Sequence, residues 1–135
     1  MIFKTKRLFV RELKREDFTA FYKMQKDPTV MKYVGGPVNT KNACIKDLDH
    51  LIGNYNKKDC NFYVWAVLNS TCEFVGTCAF IVNDNNENEI GYRFLKQYWG
   101  NGYGKEIVDG LINYALNNMK IEILYAYVDK KIQLQ

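Results

Sequence analysis

Apolar and polar positions change rhythm along this chain, and the changes mark out its elements. "RLFVREL" (7–13) alternates, with Leu8 and Val10 on one side, which predicts a strand. In "REDFTAFYKMQKD" the residues Phe18, Phe21 and Tyr22 recur at helical spacing, and Glu16 and Asp17 fall in the first turn, where the helix dipole favours acids. Pro28 is expected to end that helix. "TVMKYVGGP" (29–37) reads as a short helical turn that stops at Gly35, Gly36 and Pro37. From Asn39 a second helix places Ile45, Leu48, Leu51, Ile52 and Tyr55 on one side.

The pattern then becomes β-rich. "NFYVWAVLN" (61–69) and "EFVGTCAFIVN" (73–83) are separated by the turn-like "ST" and predict an antiparallel hairpin. The polar turn "DNNENE" (84–89) leads into a third strand of this meander, "IGYRFL" (90–95). "GKEIVDGLINYALNNM" (104–119) sets Ile107, Val108, Leu111, Ile112, Ala115 and Leu116 on a broad helical face suited to packing on a sheet, and "EILYAYV" (122–128) predicts a last strand. Without repeats or low-complexity linkers, residues 1–135 read as a single domain of mixed α/β (α+β) class.

Composition narrows the classes. Of 135 residues, 47% are hydrophobic and 25% charged, the balance of a chain that folds around a core. The net charge is +4, but the lysines are scattered and form no basic run, so nucleic acid is not expected as the primary ligand. No stretch approaches the length of a membrane span, and "MIFKTKRLFVRE" carries charges inside its apolar stretch, unlike a signal peptide. Cys44, Cys60, Cys72 and Cys78 make no C-x-x-C pair and His50 is the lone histidine, so no metal site is expected. These features predict a cytoplasmic protein with reduced thiols.

The candidate chemistry lies in "QYWGNGYGKEIV" (97–108), where three glycines at alternate positions run into a helix. The first amides of a helix lack intrahelical partners and attract anions. A P-loop requires G-x-x-x-x-G-K-[ST], yet Trp99 stands at the first position and Glu106 at the last, so the magnesium-binding hydroxyl is missing. The dinucleotide fingerprint G-x-G-x-x-G meets Lys105 instead of its last glycine, and the preceding strand follows a hairpin rather than opening a βαβ unit.

A strand, then x-x-G-x-G, then a helix, all after an antiparallel meander, resembles motif A of the GNAT N-acetyltransferases. "KRLFVREL…EDFTAFYKMQKDPTVMKYV" and "EIGYRFLKQYWGNGYGKEIVDGLINYAL" resemble the RimJ/RimL branch, the ribosomal-protein-alanine acetyltransferases, as does Trp99 where many GNAT proteins carry Gln or Arg. The resemblance implies a mostly antiparallel central sheet flanked by helices. It implies acetyl-CoA as co-substrate, with the diphosphate on the amides from Gly100 to Lys105 (Gly100, Asn101, Gly102, Tyr103, Gly104, Lys105). Backbone groups of Phe94 and Leu95 would bind the pantetheine arm like an added strand, and Trp99 and Tyr103 would pack beside the loop. The implied reaction is acetyl transfer to a primary amine, either a protein N-terminus or a small amine. Glu89 is the candidate general base, Glu73 a second one, and Cys78 is expected to be a buried small hydrophobe.

The chain departs from the family after its last predicted strand. Ile132 and Gln135 stand where an Asn and a Ser are expected, and about one helix and two strands of the family do not follow. The bare edge 122–128 is therefore expected to pair with a second copy in a homodimer. The alternative reading is a truncated, inactive GNAT remnant acting as a CoA-binding or protein-interaction module, and a nucleotide-binding module is a third.

Overall fold

The computed structural model describes residues 1–32, 36–38 and 40–126. Five antiparallel strands stand in sequence order in one sheet: β1 (Phe3–Lys4), β2 (Phe9–Glu12), β3 (Phe62–Leu68), β4 (Phe74–Val82) and β5 (Asn88–Phe94). The hairpin and meander are as the pattern predicts, and side chains explain their turns. Asn69 accepts from the amides of Thr71 and Glu73 between β3 and β4. Asn83 does the same for Asn85 and Glu87 between β4 and β5, an Asx device that frees Asn86 to take a positive φ of 59°. β1 escaped the sequence pattern because two residues are too few to show a period.

Both faces of the sheet are buried, which is why "VWAVL" in β3 is unbroken rather than alternating. Trp65 and Val67 join Phe94, Ile107, Leu111 and Ala115 in a core under α4 (Tyr103–Asn118). Val64, Ala66 and Leu68 face the other way, into a core with Phe21, Met24, Cys44 and Leu48 from α1 (Phe18–Gln25) and α3 (Lys41–Gly53). Leu116, expected in the buried face of α4, is 44% exposed. At about 100° per residue it lies roughly 180° around the helix from Ile107, beyond the arc that meets the sheet.

The seam between the two cores is a bulge. Leu68 pairs with Phe74 and Val67 with Gly76, so Val75 has no opposite residue. A side chain at Gly76 would meet the Arg93 carbonyl at 2.1 Å and Phe94 at 2.8 Å. This is a position where backbone approach, rather than a positive φ, demands glycine.

Local caps correct several helix expectations. Asp17 sits in a 3₁₀ turn (Arg15–Asp17), where it takes two 2.8 Å bonds from Arg11 and one from the Lys14 amide. Its partner is a guanidinium rather than the helix dipole alone. Pro28 does not end α1, which stops at Gln25; it opens α2 (Pro28–Met31) at the first helical position, with Asp27 as the cap. Thr40 caps α3 by accepting from Ala43. Tyr55 follows in a separate turn, where its hydroxyl donates to the Val64 carbonyl and accepts from the Leu13 amide. The expected start of that helix at Asn39, and Gly35, lie outside the described residues.

Of the expected strand 122–128, the described part, 122–126, makes a single parallel bridge, Tyr125 with Glu89. Two bonds make it: the Ile90 amide to the Tyr125 carbonyl at 2.9 Å, and the Tyr125 amide to the Asn88 carbonyl at 2.8 Å. Ile123 is 66% exposed beside it. Residues 127 and 128, Ile132 and Gln135 lie outside the described residues.

Candidate active site

The end of β5 delivers the chain into the glycine segment. The Leu95 amide still donates to the Val75 carbonyl, and the Leu95 carbonyl accepts from Tyr98 as a 3₁₀ turn (Lys96–Tyr98) begins. Trp99 then folds back, its indole N–H donating to the Phe94 carbonyl at 2.9 Å. That bond fixes the loop against the strand it leaves. Gly100 and Gly102 have φ of +85° and +78°, the left-handed region that glycine enters without strain. Gly102 is the N-cap of α4, so the helix starts at Tyr103, one residue before the expected start.

A glycine cap has no side chain to give to the helix. The Gly102 carbonyl accepts from Glu106 in the first helical bond, while the amides of Tyr103, Gly104 and Lys105 meet no acceptor among the described residues. Three adjacent donors therefore point out at the positive end of a 16-residue helix. Lys105 and Gly102 are exposed, Gly104 is buried, and Asn101 ties itself down through a bond to the Tyr98 carbonyl. The expected loop residues are thus brought together, and they fit a diphosphate.

One acid lies close, and it is neutralised. Glu106 in the first turn of α4 accepts from the Thr5 hydroxyl, the Arg7 amide and the Arg7 guanidinium. Burial pushes the Glu106 carboxyl up, but these donors outweigh it and hold the group below the ordinary carboxylate range. Arg7 also lies over the Tyr103 ring at 4.8 Å, with its Nη2 near Gly102. Sequence reasoning missed this: Thr5 and Arg7 meet Glu106 only across about 100 residues of chain.

Leu95 is less open than expected, since its amide and carbonyl both have backbone partners. The alternation of β5 instead turns the backbone of Asn88, Ile90, Tyr92 and Phe94 away from β4, as the two bonds with Tyr125 show at Asn88 and Ile90. Phe94 therefore keeps its amide on the open edge, while its carbonyl already accepts from the Trp99 indole.

The side chains of Glu89 and Arg93, with Gly91 between them, share the face of β5 that looks toward α1 and α3. Glu89 is half-buried, and one carboxylate oxygen accepts from Asn83 Nδ2 at 3.2 Å. Glu73 is exposed in the β3–β4 turn, where bonds from Thr71 and Asn69 hold its carboxyl below the usual range. Cys78 is fully buried in the α4 core, and burial drives its thiol far up. His50 is exposed on α3 at the rim of a cavity on the α1–α3 face.

Similarity to known proteins agrees with this geometry. Residues 7–131 match the model of the acetyltransferase (GNAT) domain. The uncharacterized N-acetyltransferase p20 of Bacillus licheniformis is 28% identical over 127 residues, covering 93% of this chain and 71% of that one. Among solved structures, a GNAT-family acetyltransferase from Bacillus anthracis superposes with a TM-score of 0.77 at 24% identity, over 91% of this chain and 70% of the other. Spermidine N-acetyltransferase of Vibrio cholerae, in complex with CoA and spermine, gives 0.72 at 16% identity, over 88% and 69%. With the antiparallel meander, the glycine-opened helix and a family match over nearly its whole length, the chain belongs to the GNAT family of N-acetyltransferases.

Proposed function

We propose that the chain binds acetyl-CoA and transfers its acetyl group to a primary amine, in the manner of the RimJ/RimL branch. One observation carries the reading: α4 opens on left-handed glycines that leave three amides without acceptors among the described residues. The diphosphate lies on the amides from Gly100 to Lys105, with Lys105 adding charge from outside. Phe94 offers its backbone amide to the pantetheine arm along the outer edge of β5, and Trp99 and Tyr103 hold the loop in shape. When bound, the thioester supplies an activated acetyl group.

Glu89 then acts as general base, directly or through one water, on the amine that attacks. Its support is position: it is half-buried, on the cavity face of β5, with one oxygen tied by Asn83. The acceptor is a protein N-terminus or a small amine, the protein works in the cytoplasm, and the edge around Tyr125 pairs with a second copy.

Calorimetry with acetyl-CoA, on the wild-type chain and on Gly102→Glu, tests the loop. Micromolar binding to the wild type and none to the variant is expected, because the added carboxylate occupies and repels the anion site. Equal binding by both would remove the loop from the cofactor site. Binding without acetyl transfer to any amine would favour a non-catalytic CoA-binding module.

A further inference from the structure

The chain has four arginines, and three of them have carboxylate partners: Arg7 with Glu106, Arg11 with Asp17 and Arg15 with Asp49. Arg93 has none among the described residues, although it is the one whose burial pulls its pKa down. Its Nη1 donates to Gln25 Oε1 at 2.7 Å and lies 3.7 Å from Met31 Sδ. Asp47 acts on it through space, but no carboxylate among the described residues is within ion-pair distance. Nε and Nη2 have no acceptor among those residues. A guanidinium withdrawn from water without an anion is costly, so such a group calls for a counter-charge from elsewhere.

A second observation points to the same place. Among the described residues the buried polar side chains are Asp17, Gln25, Asn54 and Thr77. Asp17 is bonded to Arg11, and Asn54 donates to the Phe62 carbonyl. Thr77, only 3% exposed, makes no side-chain hydrogen bond to any described residue, and the Gln25 amide nitrogen finds no acceptor there either. Both line one cavity with Arg93, about 260 Å³ in volume, walled by Phe21, Leu51 and Val64, with Asp47 and His50 also on its lining. That lining combines a guanidinium, an amide NH₂ and a hydroxyl, all able to donate, with one carboxylate, Asp47, that makes no ion pair with Arg93. The three donors fit a planar oxyanion, because the Nε–Nη2 edge of a guanidinium matches two carboxylate oxygens.

We propose that this cavity binds a carboxylate on the acetyl acceptor, so that the substrate class is a small amino-acid-like amine rather than a polyamine. The proposal rests on the reading of the chain as an acetyl-CoA-dependent transferase. Arg93, Thr77 and Gln25 hold the carboxylate, and the apolar wall accommodates a short side chain. Glu89 projects from the same face of β5 as Arg93 but about 13 Å along the strand, too far to touch the α-amine of an acid held at Arg93, so the carboxylate site stands independently of the proposed base. Spermidine brings only positive charge to Arg93 and is disfavoured there.

The test titrates the 135-residue chain with the standard amino acids, with their α-amides and with spermidine, each with and without acetyl-CoA. At least one free acid is expected to bind on the order of tenfold or more tightly than its amide, the loss typical of one charge-assisted hydrogen bond. Arg93→Met is expected to abolish that discrimination while its acetyl-CoA isotherm stays unchanged, and Thr77→Val to weaken the acid several-fold. No acid binding better than its amide, spermidine binding better than every acid, or discrimination surviving in Arg93→Met would overturn the proposal. Should Arg93→Met fail to fold, the wild-type comparison of acid with amide decides alone. Loss of acetyl-CoA binding alongside intact acid-over-amide preference would overturn the cofactor reading and leave the carboxylate site standing.

Discussion

The two faces of the sheet divide the work differently. On the α4 side the site is backbone: amides at a helix start, exposed because Gly100 and Gly102 take positive φ. On the α1–α3 side it is side chains from separate elements, with Gln25 from α1, Thr77 from β4 and Arg93 from β5 around one cavity. The first arrangement needs a contiguous segment with little freedom to vary. The second needs only that three distant positions meet, so the kind of ligand it takes can change without disturbing the loop. Family membership is accordingly read from one face, and the proposed acceptor site lies on the other.

The comparison breaks most completely at the seam. Gly76→Ala puts a methyl where the Arg93 carbonyl and Phe94 stand, so both faces are expected to suffer together. A loss of about 3 kcal/mol or more in urea unfolding is the expected outcome, since backbone rather than a flexible side chain must move. A change below about 1 kcal/mol would show that the bulge relaxes and that the two faces are less tightly joined.

Trp99→Phe sharpens the comparison from the α4 side. It removes the indole bond to the Phe94 carbonyl and keeps the aromatic bulk. A stability loss of about 1 kcal/mol is expected, with weaker acetyl-CoA binding and an unchanged acid-over-amide preference at the Arg93 cavity. Calorimetry with both ligands checks it, and a shifted preference would mean that the two faces are coupled through β5.

The smallest effect concerns pH. Glu106 has its carboxyl lowered in the folded chain, so its contribution is fully present above the unfolded value of 4.5 and is lost as pH falls through the folded one. Denaturation midpoints measured down this acid limb should fall more steeply in the wild type than in Glu106→Gln. Equal slopes would mean that the bonds from Thr5 and Arg7 do not distinguish the ionised form.

Much of the fold was legible because it rests on local periodicity. The β3–β4–β5 meander and α4 follow from alternation and helical spacing, and the turns follow from Asn69 and Asn83. Pro28 was misplaced because a proline equally ends one helix or opens the next, and only Asp27's cap to Thr29 decides between them. Leu116 was misassigned at the margin of its helical arc, where a broad apolar pattern does not say how far the sheet reaches. Within 122–126 the last expected strand makes only one bridge, for a related reason: apolar alternation shows a capacity to pair, and pairing needs a neighbour.

The sequence by itself determined the glycine-opened start of α4, since a left-handed turn and an uncapped helix start are written in consecutive residues. Tertiary structure alone decided that Arg93 meets no acid among the described residues while Arg7, Arg11 and Arg15 each have one. Arg7 pairs across about 100 residues, Arg15 across 34 and Arg11 across only six, yet nothing in the spacing tells these from an unpaired arginine. A side chain's partner and its burial are set by the packing of elements remote in sequence, whereas a backbone dihedral is set largely by the residue that carries it.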